Sequence, residues 1–142
     1  MVHNGWLFSR KSLKNAKQLK DCGTGSWMTS CGKGTWYCSG KAIGSIKTVF
    51  KGSGKATLHF GNCNRKGTVK VFLNDDLKST AETRMRNGRR EGERNNVAIE
   101  FKKGDELKIM EYKSAILELY SFTVKCNAGS AGCSRDSGLT EG

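Results

Sequence analysis

The sequence predicts an all-β protein, an antiparallel β-sandwich of the jelly-roll type with a cystine-stapled, loop-rich N-terminal segment. Three observations predict it. Apolar and polar residues alternate at a period of two through much of residues 43 to 126, β-branched and aromatic residues fill those runs, and glycine and asparagine punctuate them. Seven or more such runs recur at a spacing of roughly 8 to 12 residues, with almost no helical period. At 142 residues the chain suits one domain with one core. The organisation expected is a basic Cys- and Gly-rich segment over 1–40, packed on the domain, a sandwich core over 41–126, and a flexible C-terminal tail over 127–142, tied by Cys133.

The elements follow in order. Ser9 to Lys20 spaces Leu13, Ala16 and Leu19 three apart, with Lys11, Lys14, Lys17 and Lys20 in the same step, which reads as a short basic amphipathic helix or a loop packed on the domain. Its apolar side is too small to drive strong membrane insertion. From Asp21 to Gly40 the text is rich in Gly, Ser, Thr and Cys and carries Trp27, Trp36 and Tyr37, so it reads as stapled loops and short strands. Strands are expected at Ile43–Phe50, Lys55–Phe60, Thr68–Leu73, Leu77–Thr83, Val97–Phe101, Glu106–Tyr112 and Ala115–Cys126. Ala56, Leu58 and Phe60 share one face of the second, with Thr57 and His59 on the other, while Val69, Val71, Leu73, Leu107 and Ile109 point inward. Met85 to Asn96 is polar and glycine-containing, an exposed loop or hairpin end.

Charge is unevenly placed. Lys and Arg number 25 against 13 Asp and Glu, a net of +12. Residues 1–70 hold 13 basic side chains and one acid, Asp21, whereas residues 71–142 hold 12 of each. A one-signed surface attracts polyanions such as sulfated or uronate-rich glycans, nucleic acid or anionic lipid, and equally well keeps a domain soluble. No apolar stretch approaches the roughly 18 to 20 residues that cross a bilayer.

Cys22, Cys31, Cys38, Cys63, Cys126 and Cys133 are compatible with three disulfides in any of 15 pairings. Their gaps contain no Cys-x2-Cys unit of the kind zinc sites use, and His59 and Cys63 lack further close ligands. Disulfides imply an oxidising, extracellular location. Met1 to Asn15 carry no continuous apolar signal segment, so secretion requires a chain that starts after its processing point or bears a new Met1. No N-glycosylation sequon adds support.

The runs Gly54–Cys63, Gly67–Asn74, Val97–Glu111 and Ala115–Cys126 together resemble the strand order of galactose-binding-like and carbohydrate-binding-module jelly rolls of extracellular proteins. The resemblance covers about residues 40 to 126 and includes a Gly-Asp-x-Leu-x-Ile hairpin entry and a cysteine closing the last strand, within reach of a partner such as Cys63 if those strands are neighbours. It implies glycan or cell-surface binding more often than catalysis, in end loops or on a concave sheet face.

Sugar binding needs a flat apolar face flanked by hydrogen-bonding groups. Trp27, Trp36 and Tyr37, with Lys33 and Lys41 nearby, supply that composition; in an extended segment only one of Trp36 and Tyr37 faces out, and packing on a disulfide or a sheet end accounts for the same aromatics. Lys47, Lys51, Lys55, Arg65, Lys66 and Lys70 are the candidates for capturing a polyanion, against the plainer reading of solvated lysines. Arg86, Arg89, Arg90 and Arg94 read as a mobile loop partly neutralised by Glu91 and Glu93. His59 with Asp75, Asp76 or Glu111 is the one imaginable acid–base set, with no spacing to unite it. Asn74-Asp75-Asp76 offers oxygens of the kind calcium takes, and a type I turn explains it equally. No other cofactor is expected. Lys103-Gly104-Asp105 matches a tripeptide of some integrin ligands and is also an ordinary turn. The function expected is therefore a secreted, non-catalytic, lectin-like module favouring acidic saccharides, with a nucleic-acid- or polyanion-binding protein, a structural matrix protein or a small secreted enzyme as alternatives.

Overall fold

The computed structural model describes residues 44–62, 66–113, 115 and 117–129, together with short strands at 2–3, 6–8 and 37–38. The described residues contain strands and turns and no helix, so none that is long and apolar enough to cross a membrane. In chain order the strands are β1 (Val2–His3), β2 (Trp6–Phe8), β3 (Tyr37–Cys38), β4 (Ser45–Val49), β5 (Gly54–Asn62), β6 (Thr68–Leu73), β7 (Asp76–Ala81), β8 (Thr83–Arg86), β9 (Arg89–Gly92), β10 (Arg94–Phe101), β11 (Glu106–Tyr112) and β12 (Leu117–Cys126). The expected helix or loop over 9–20, most of the Asp21–Gly40 stretch, and the tail from 130 onward lie outside the described residues.

All pairings are antiparallel. One sheet has the order β1-β2-β4-β11-β6-β7, a second β10-β5-β12-β3, and β8-β9 is a separate two-stranded ribbon. Alternation places Ile46, Val69, Val71, Leu73, Leu107 and Ile109 of the first sheet and Ala56, Leu58, Phe60, Ile99, Phe101, Leu117 and Leu119 of the second in one hydrophobic cluster. Phe50 and Phe101 stack with ring centroids 3.6 Å apart, joining the two sheets at one end of the molecule.

Most connections carry the chain from one large sheet to the other, as in the steps from β4 to β5, β5 to β6, β10 to β11 and β11 to β12. The Gly104-Asp105 turn is therefore a crossing and not the hairpin expected: Gly104 N donates to Phe50 O (2.9 Å) and Phe50 N to Asp105 O (3.0 Å). At Asn74-Asp75 the chain does form a hairpin, but with φ of 50° and 67° this is a primed turn rather than type I, the form that suits the right-handed twist of β6 and β7. The strand expected over Leu77–Thr83 is β7 and stops at Ala81.

β5 and β12 are neighbours, yet their register opposes Cys126 to Gly54 and Leu117 to Asn62. Cys63, named as a partner for Cys126, lies outside the described residues. Cys126 is disulfide-bonded. Asn127 N donates to Ser53 O (3.0 Å), so the first residue of the expected tail is held against the domain.

Candidate functional site

The polar text from Met85 to Asn96 is more ordered than a loop. Asn87 and Gly88 have φ of 50° and 74°, the pair of positive values that an Asn-Gly hairpin turn adopts, and they fold β8 back on β9. The ribbon is tied at its root, where Glu93 N donates to Glu82 O (2.8 Å) and Glu82 N to the Glu93 carboxylate (3.3 Å). Asn62, at the end of β5, donates its backbone N–H to Glu93 O (3.0 Å). Its side chain, in a residue only 2% exposed, donates to Lys66 O (3.2 Å) and Gly67 O (3.0 Å). One buried asparagine thereby links the ribbon root to the segment that carries Lys66. A buried amide must be satisfied, so this linkage is fixed by the cost of breaking it.

Between these two walls lies an open cleft of about 450 Å³ lined by Lys66, Gly88, Arg89 and Arg90. None of the three cations has a carboxylate partner among the described residues. Lys66 faces the ribbon across this space, and Arg89 and Arg90, consecutive in β9, leave the ribbon on its two faces, so the three are neighbours on one positive surface. Arginine offers a planar fork of donors that matches carboxylate or sulfate-like oxyanions, and lysine a compact charge beside it. The cleft is suited to bind an anion.

The structure divides the expected polyanion set. Lys66 enters the cleft. Lys47 and Lys70 lie on the outer face of the six-stranded sheet, Lys47 with Glu106 at 3.8 Å and Lys70 over the Tyr112 ring at 5.1 Å from its centroid. Lys55 points from the outer face of the other sheet to Glu100 (3.5 Å), and Lys51 sits in the exposed connection after β4, at the end opposite the ribbon. Of the glycan set, Trp27, Trp36, Lys33 and Lys41 lie outside the described residues, as does Arg65, and Tyr37 is placed by its backbone alone, in β3 opposite Leu119.

His59 is on the outer face of β5, in register with Asn96 and Ser121, while Asp75, Asp76 and Glu111 belong to the six-stranded sheet and its turn. The acid–base set is not brought together. Glu111 is instead a tie: its carboxylate accepts from Gly44 N (2.9 Å) and Leu117 N (2.7 Å). At the expected calcium turn, Asp75 pairs with Lys108 (3.4 Å) and Asn74 bridges Asp105 (2.9 Å) and Glu106 N (2.9 Å). Among the described residues no group of three or more His, Cys, Asp or Glu could hold a metal ion.

Sequence reading missed Arg89 and Arg90 because Glu91 and Glu93 neutralise them in a linear count. The Asn87-Gly88 pair was the signal for a hairpin, in which Glu93 turns to Glu82 N at the ribbon root, Glu91 lies opposite Arg84, and the two arginines directly follow the turn. The chain matches no protein-family model and no curated protein.

Proposed function

We propose that this chain is a non-catalytic binding module for acidic saccharides, and that Lys66, Arg89 and Arg90 form its anion-anchoring site. The observation that carries the reading is that three cations without carboxylate partners among the described residues line one cleft, on segments fixed to each other through Asn62. The single core cluster shared by two antiparallel sheets with crossing connections supports a jelly-roll sandwich of the galactose-binding-like kind. Secretion with three cystines is part of the same proposal, supported by the six cysteines and by the bonded state of Cys126. Trp27, Trp36 and Tyr37, with Lys33 and Lys41, remain the proposed stacking residues of the N-terminal segment.

Nucleic acid is the rival ligand, since phosphates meet the same cations. Titration of the full chain with a heparin-derived octasaccharide and with a random DNA duplex, each across a salt series, separates the two. Saccharide binding that falls with salt by the slope of a few cations, yet stays tighter than duplex binding at every salt concentration, is the expected result. Equal affinities that fall together with log salt overturn the saccharide reading.

A further inference from the structure

The six-stranded sheet presents an outer face whose residues follow from the register. Phe72 on β6 lies opposite Lys108 on β11 and opposite Leu77 on β7. Lys70 and Tyr112 adjoin it toward the ribbon end, where Tyr112 OH donates to Met110 Sδ (3.3 Å). Leu77 is 54% exposed, one of two large hydrophobic residues so exposed among the described residues. It faces outward because of an irregularity in the β6–β7 ladder: Val71 pairs with Ser79 and Phe72 with Leu77, so Lys78 is an extra residue. A β-bulge of this kind re-aims a side chain at a cost to the ladder, and here it sets a leucine beside a half-buried phenylalanine in solvent.

We propose that Phe72 and Leu77 form a second saccharide subsite, where the apolar face of a pyranose ring rests on the two side chains. The inference deepens the reading of the chain as an acidic-saccharide binder and rests on it. Charge near the patch is nearly balanced, with Lys108 paired to Asp75, Asp76 exposed beside Leu77, and Lys70 and Lys78 without carboxylate partners among the described residues. Such a surface suits an uncharged ring face with its acidic group directed to Lys70, whereas the cleft suits the anionic groups themselves. Four residues of strand, about 13 Å, separate Phe72 from Thr68, and Lys66 lies beyond. No single monosaccharide spans that length. The ligand class is therefore an extended acidic polysaccharide that lies along β6, with its charges in the cleft and a ring on the sheet.

The test is calorimetric titration of the full chain and its Leu77→Ser variant with a heparin-derived octasaccharide and a heparin-derived disaccharide at two salt concentrations. Leu77 is exposed, so the variant keeps its fold, and circular dichroism verifies that. The octasaccharide is expected to bind Leu77→Ser about three- to tenfold more weakly at both salt concentrations with an unchanged salt slope, and the disaccharide equally to both proteins. A second variant, Phe72→Leu, keeps the apolar volume without the ring and is expected to show an intermediate loss. Octasaccharide binding that is the same in wild type and Leu77→Ser overturns the subsite and leaves the cleft standing. An octasaccharide that fails to bind the wild-type chain overturns the acidic-saccharide reading and the subsite with it.

Discussion

The two ends of the molecule carry clefts of similar size, one cationic and the other balanced in charge. At the ribbon end, about 450 Å³ is lined by Lys66, Gly88, Arg89 and Arg90, with no carboxylate among the described residues. At the other end, about 400 Å³ is lined by Ser53, Gly54, Lys55, Glu100, Phe101, Lys102, Asp105 and Asn127, where two acids stand beside the two lysines: Lys55 faces Glu100 (3.5 Å), and the Asp105 carboxylate accepts from the Lys102 backbone N–H (2.8 Å). The excess charge of the sequence resides in residues 1–70, yet two of the three cations in the unneutralised cleft come from the electrically neutral second half. Local pairing, and not net charge, decides where a positive field remains.

The contrast is most severely broken by Gly67→Ala. Gly67 has φ of 75°, and a methyl group there would press on the Tyr112 and Lys113 carbonyl oxygens and Ala115 N. Backbone cannot give way as a flexible side chain does, so a loss of about 3 kcal/mol in chemical denaturation is expected, with the Lys66 wall displaced.

Sharpening the contrast takes paired triple variants. Replacing Lys66, Arg89 and Arg90 with Ala is expected to weaken heparin-octasaccharide binding about 30-fold at physiological salt and to make the salt slope shallower by roughly two to three. Replacing Lys51, Lys55 and Lys102 with Ala is expected to change the affinity by less than about threefold, and calorimetry of both reads the difference.

Asn62→Ala comes next. It removes two donated bonds from a buried site and leaves the Lys66 and Gly67 carbonyls without them, for an expected cost of about 1.5 kcal/mol in stability. Because Lys66 is released while Arg89 and Arg90 stay, the salt slope is expected to fall by about one. The smallest effect belongs to Lys55→Ala, which breaks a pair whose side chains are 68% and 81% exposed and is expected to alter stability by less than about 0.5 kcal/mol.

Much of the scaffold was legible in the sequence. Val69, Val71 and Leu73, and Leu107 and Ile109, alternate cleanly, and both strands fall where the alternation places them, with these residues buried. A buried face imposes its period on the text. The ribbon was not legible in that way because neither of its faces packs in the core, so Met85 and Arg90 need no alternation and Met85 is 64% exposed. The crossing at Gly104-Asp105 looked like a hairpin because a turn sequence specifies a reversal and not which sheet receives the next strand. Lys66 was visible as a candidate, but its cleft partners are more than 20 residues away, and only the hydrogen bonds of Asn62 bring them into one site.

Amide chemical-shift mapping of the isotope-labelled chain with a heparin-derived octasaccharide compares the two ends in one sample. The account predicts the largest shifts at Lys66, Gly67 and Gly88–Arg90, continuing along β6 to Phe72, with Ser53–Lys55 and Lys102–Asp105 unmoved. Shifts centred on Ser53–Lys55 and Lys102–Asp105, with the ribbon silent, would contradict it.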